Sequence, residues 1–255
     1  MINLFKMDFR RFIRNKVMYS LLLIYSAFQI FGVFMMSVYE EPMAESGVQT
    51  SQMNASEFIQ SVLSQTPSWM LLYIMVFTIY FYMSELNAGF YKNYITMKHA
   101  RINSVLSKII IQAFFILLML LTLIISDLIG RSIFFGNNAI GDIGFFMKLI
   151  SSQFLLQWAF SVLILCVAII TKKMLGSLII GLALALNLVG MILSSLETVL
   201  FDKTYVSDYL LVNTIMRIKD FHDLNEWITV LSTGLVFLVM FIGIAARYKW
   251  REDLR

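Results

Sequence analysis

Six stretches of the chain run without Asp, Glu, Lys or Arg for about the length a membrane-crossing helix needs, roughly 20 mainly apolar residues for a hydrocarbon core of about 30 Å. They cover 17–39, 67–84, 109–126, 149–171, 174–196 and 227–246. None alternates apolar and polar positions in the manner of a membrane-barrel strand. The pattern predicts an all-α integral membrane six-helix bundle, built as a single transmembrane domain. The first stretch follows a basic segment, as a secretory signal would. Its apolar core is longer than the roughly 7–15 residues of such a signal, and it runs into Glu40-Glu41-Pro42 instead of a small-residue cleavage site. It reads as a retained anchor.

Three segments between the stretches are patterned as well. In residues 1–16, Ile2, Phe5, Phe9, Phe12 and Ile13 share one helical face, while Lys6, Arg10, Arg14 and Asp8 lie elsewhere. That predicts an interfacial helix with its aromatic side chains at the acyl boundary and its cations near anionic lipid. The connection 85–108 is far longer than a bundle loop requires. Within it Phe90, Tyr94 and Met97 form an i, i+4, i+7 stripe, with Lys92, Asn93, Lys98 and Arg101 on other faces. Such a helix suits a groove on another protein, or alternatively the base of its own bundle. Segment 197–226 mixes apolar residues with Asp202, Asp208, Asp220 and Asp223, and predicts short re-entrant helices folded back on the outer side. In the acidic connection before the second stretch, Asn54-Ala55-Ser56 matches a glycosylation sequon, a weak signal.

Composition sharpens the membrane reading. The chain is 59% hydrophobic and 14% charged, against about 25% charged in an average soluble domain. Its basic residues flank apolar stretches, which is a topology signal and not a nucleic-acid surface. Fifteen of the twenty Lys and Arg residues fall on one side of the six-span layout, and the first connection on the other side has none. Both termini are therefore predicted to be cytoplasmic. The lone Cys166, inside an apolar run, excludes a disulfide within the chain and reads as a small hydrophobe.

Candidate chemistry is sparse. The predicted spans hold essentially no charge, which argues against an ion-coupled transporter. Asp127 and Arg131, four apart at the outer end of the third span, predict a local ion pair or an outer gate contact. Gln29, Gln153, Gln157 and Asn187 are candidates for hydrogen bonds between helices or for a cavity lining, and Ser177, Gly181 and Ala185 for a close helix contact or a dimer seam. His99 and His222 fall on opposite sides of the membrane in this layout, so no shared metal site is expected. No H-E-x-x-H, G-x-S-x-G or P-loop pattern occurs. The expectation is a chain with no catalytic residues, metal or cofactor, moved by a partner.

The basic amphipathic start up to Lys16 and the stretch SELNAGFYKNYITMKHARINSVLSKII resemble the permease subunits of type-2 ABC exporters, the ABC-2 group. In that family a Glu ends the second helix, a Gly follows, and an amphipathic segment leads to a Ser-Lys at the start of the third helix. Here those positions are Glu85, Gly89, Phe90 to Arg101, and Ser107-Lys108. The resemblance implies that Phe90, Tyr91, Tyr94, Met97, Lys98 and Arg101 belong to a coupling helix seated in a separate ATPase subunit, which would bind ATP and Mg. It implies that 1–16 is the connecting helix, that 197–226 closes the exit, and that a second permease chain, identical or not, completes the unit. The small Gram-positive members export amphipathic peptides such as phenol-soluble modulins, or protect against lantibiotics and bacitracin. The expected function is thus ATP-driven export of amphipathic or hydrophobic cargo from a bacterial plasma membrane. The alternative is a membrane-embedded immunity protein that sequesters a toxic peptide without transport.

Overall fold

A computed structural model describes residues 2–40, 50–89, 100–137, 139–201 and 206–251, and among these every regular element is helical. Helix α1 (Ile2–Ile13) stops at a sharp elbow. There the Asn15 side chain accepts from the amides of Val17 and Met18 and so starts α2 (Lys16–Val38), satisfying donors that a helix start otherwise leaves bare. Helix α3 (Ala55–Leu63) begins with a capping box, in which Asn54 accepts from the Glu57 amide and Glu57 reaches back to the Asn54 amide. The sequon asparagine is thus committed to a helix start. Then follow α4 (Trp69–Asn87), α5 (Ala100–Phe134) and α6 (Ile143–Thr171). The chain continues through α7 (Met174–Ala185), α8 (Leu188–Phe201), the short α9 (Leu211–Met216) and α10 (Leu224–Arg251).

Five helices, α2, α4, α5, α6 and α10, are long and apolar enough to cross a membrane, and the α7–α8 pair makes a sixth if its bent halves count as one span. The chain is in architecture a multi-pass membrane protein. Helix α6 is the hub, packed against α4, α5, α7, α9 and α10, and its Phe160, Ile164, Leu165 and Ala168 are fully buried. Helices α2, α8 and α10 lie outside it with large apolar side chains exposed, Leu23, Ile192 and Val239 among them. In a bilayer those faces meet acyl chains, which are as apolar as they are.

Two elements differ from the sequence reading. The stretch 174–196 is not one straight span: it breaks between α7 and α8 with a 45° bend. Asn187 sits at the break with φ of 59°, in the left-handed region that Asn tolerates better than most residues, and its side-chain amide donates to Asn213. Helix α5 extends beyond the stretch 109–126 at both ends, running for 35 residues through Lys108, Asp127 and Arg131. All three charges are buried inside the protein, which supplies their partners. The small-residue strip Ser177, Gly181 and Ala185 is buried within the chain, and Gly181 lies directly against Met75 and Ile79 of α4. Within segment 197–226 the described residues pack back on the chain. The Glu197 carboxylate accepts from the Val206 and Ser207 amides and the Ser207 hydroxyl, and α9 inserts Leu211, Val212 and Ile215 against α6.

Both described ends converge. Helix α1 packs on α5, and near the other terminus Lys249 of α10 lies 6.0 Å from the Tyr82 ring, one turn from the end of α4.

Candidate functional site

The end of the bundle where α1, α4 and α5 meet holds a buried network of four charges. Asp8 on α1 accepts from the Ser107 hydroxyl at 2.6 Å and lies 3.7 Å from Lys108 Nζ. Lys108 donates to the Glu85 carboxylate at 3.0 Å and to the Ser104 hydroxyl at 2.9 Å. Arg11 completes the ring: it bonds to Glu85 and to the Phe81 carbonyl, lies 3.5 Å from Asp8, and stacks 4.0 Å over the Phe81 ring. Asp8, Glu85 and Lys108 are 1%, 3% and 2% exposed. Two carboxylates thus face two cations, the condition under which charges survive such burial.

Local sequence makes this meeting possible. Ser104 and Lys108 are one turn apart on α5, and Asp8 and Arg11 are neighbours on α1 at i, i+3. Aromatic packing sets the distance between the helices: Phe9 meets Phe114 at 5.6 Å, Phe12 meets Phe77 at 5.9 Å, and Phe77 stacks on Phe115 at 3.8 Å. The aromatic face of α1, expected at the acyl boundary, therefore lies against the protein, with Phe12 buried and Phe5 and Phe9 half-buried. Arg10, Arg14 and Ile13 are exposed, and Asp8 is on the buried side with the aromatics, not away from them. Burial pushes the Asp8 carboxyl above the usual carboxylate range, Glu85 adds to the rise, and Lys108, Ser107 and Arg11 hold it down.

Of the residues expected to couple to a partner, Glu85 belongs to this network. Gly89 closes the end of α4 with a left-handed φ of 69°, and Arg101 lies half-buried in the first turn of α5. Phe90, Tyr91, Tyr94, Met97 and Lys98 lie outside the described residues. Asp8, Arg11 and Ser104 were not singled out by pattern. The signal was Asp8 itself, the one acid in a basic segment, three residues after Phe5 and four before Phe12. That spacing places it in the apolar sector of α1.

The other candidates occupy the far end and the middle of the bundle. Asp127 and Arg131 form a buried pair at 3.7 Å, and Arg131 also donates to the Met53 carbonyl at 2.8 Å and the Ala139 carbonyl at 3.3 Å. It tethers the connections before α3 and after α5. Gln153 donates to the Ile215 carbonyl at 3.1 Å, capping α9 from α6, and Gln157 donates to Gln153 at 3.2 Å. Gln29 is buried on α2. Asn187 lines a polar cavity of about 410 Å³ with Asn213, Asp208 and Arg217. Among the described residues no three His, Cys, Asp or Glu side chains cluster as metal ligands would.

Neither a protein-family model nor a curated protein matches this chain.

Proposed function

We propose that the chain is the membrane-spanning permease subunit of an ATP-driven ABC exporter, working with a separate ATPase and a second permease chain in a bacterial plasma membrane, termini inward. The observation that carries this reading is the Glu85–Lys108 bond at 3.0 Å. The two residues bound the connection 85–108, in which the coupling stripe is expected, and they come from the two helices that the connection joins. Force applied to it by an ATPase would act on α4 and α5 as a pair, and through Asp8 and Arg11 on α1 as well. The chain itself is proposed to hydrolyse nothing: ATP and Mg belong to the partner. The cargo class, amphipathic or hydrophobic peptides, rests on the resemblance to small ABC-2 permeases.

The test is co-expression with candidate ATPase subunits. An ATPase should co-purify and turn over faster in the complex, and a Phe90→Ala/Tyr94→Ala/Met97→Ala variant should lose both effects. A chain that protects cells from a toxic peptide equally well with no ATPase present would instead be a sequestering immunity protein.

A further inference from the structure

The outward side of α1 forms one wall of a second feature, a cavity of about 890 Å³ in the α1–α2 elbow, bounded across the gap by the end of α4. That volume lies within the range of about 300–1,000 Å³ typical of ligand sites. Five cations line it: Lys6, Arg10, Arg11, Arg14 and Lys16. The one acid in its wall, Glu85, is already bonded to Arg11 and Lys108. Among the described residues, Lys6, Arg10, Arg14 and Lys16 make no ion pair, so the lining carries an uncompensated positive charge.

The backbone adds to that charge. Helix α2 begins inside the cavity wall with no acidic residue in its first turn; its Val17 and Met18 amides are taken by Asn15, so what it adds is the positive end of its dipole and not free donors. The rest of the wall is formed by Met7, Val17 and Tyr80 together with the polar side chains of Asn15 and Ser84. Val17 shares its face of α2 with Leu21, which is half-buried against the core, and with Ile24, which is 53% exposed. A cationic chamber therefore opens onto an apolar track that runs along a membrane-crossing helix.

We propose that this elbow is a binding site for the phosphate headgroup of one anionic phospholipid, with an acyl chain laid along the Val17–Ile24 face of α2. The shared chemistry is a phosphate ester. The apolar track argues for a lipid as its source over a soluble phosphate, which would use the cations and leave the track bare. The site is independent of the exporter reading, because it requires only that α1 and α2 lie in a membrane.

The experiment is a lipid titration of the full chain in detergent, read by native mass spectrometry. Phosphatidylglycerol should saturate at one retained lipid per chain, at concentrations at least tenfold below phosphatidylcholine. The Arg10→Gln/Arg14→Gln variant should lose that preference. The Arg247→Gln/Arg251→Gln variant, which removes the same charge from exposed positions at the end of α10, should keep it. All four positions are exposed, so both variants are expected to fold, and an unchanged melting temperature checks this. Equal loss in the two variants would mean diffuse charge attraction and overturn the site. Displacement of the lipid by soluble glycerol phosphate at comparable concentration would overturn the lipid assignment.

Discussion

Lys108 is shut away from solvent at 2% exposure with its ammonium held by Glu85, Ser104 and Asp8. Removing one partner of such a group leaves opposite charges buried without compensation, which costs about 3–5 kcal/mol. Lys108→Met is expected to lower stability by that amount in a denaturant titration of the detergent-solubilised protein. Adding Asp8→Asn should return most of the loss, since one carboxylate, Glu85, then faces one cation, Arg11. A single-variant cost below about 1 kcal/mol would mean that the network is solvated and not structural. Lys219, in the connection before α10, gives a pH signature. Burial lowers its ammonium to about 8, Glu226 pulls it back up, and Arg217 pushes it further down. Between about 8 and the ordinary 10.5 the unfolded chain holds more protons than the folded one, so this group's contribution to stability rises with pH across that window. The melting temperature of Lys219→Met should lack the part of the rise from pH 8 to 10 that the parent shows.

At the level of elements, the close approach of α7 to α4 at Gly181 is sensitive to substitution. A Cβ on Gly181 would fall 2.7 Å from Met75 Cγ and 3.2 Å from Ile79 Cδ1. Gly181→Ala already presses on Met75 near the root of its side chain and crowds Ile79, so both must give way. Gly181→Leu must separate α4 from α7, and forced overpacking of this kind costs about 1–3 kcal/mol. Thermal unfolding followed by size-exclusion fluorescence should place Ala below the parent and Leu well below Ala. The spans were legible because their apolar runs are long, and α2 (Lys16–Val38) lies within a residue of the 17–39 reading. Helix α5 runs beyond the 109–126 stretch, whose bounds Lys108 and Asp127 marked by their charge. Partners on α1 and α4 at one end, and the Arg131 pair at the other, let the helix run on. The α7–α8 break was hidden in an apolar run. Only Asn187 marked it, and its partner Asn213 is 26 residues away. The charged site was half-visible for the same reason: Glu85 and Lys108 stood out from the resemblance, whereas Asp8 and Arg11 acquire meaning only once α1 folds against the bundle.

For the whole molecule, the 15-to-5 distribution of Lys and Arg and the convergence of α1 with the end of α10 lead to one orientation test. In a Cys166→Ser background, single cysteines would be placed at Arg14 and His222, both exposed. A membrane-impermeant maleimide added to intact cells should label His222→Cys and spare Arg14→Cys until the cells are opened. The reverse pattern would invert the topology and with it the proposed ATPase face. The charged networks at Lys108 and Asp127 stand nineteen residues apart on α5, about 28 Å at 1.5 Å of rise per residue. That spacing matches the hydrocarbon thickness of about 30 Å, and no proline interrupts the 35-residue helix between its ends. A stiff rod gripped at both ends cannot flex locally to absorb a push. Under the proposed function, a roll or tilt started at the Glu85 grip would be carried along α5 to Arg131 and to the Met53 and Ala139 segments it holds, gearing the two ends of the bundle together by a single axle.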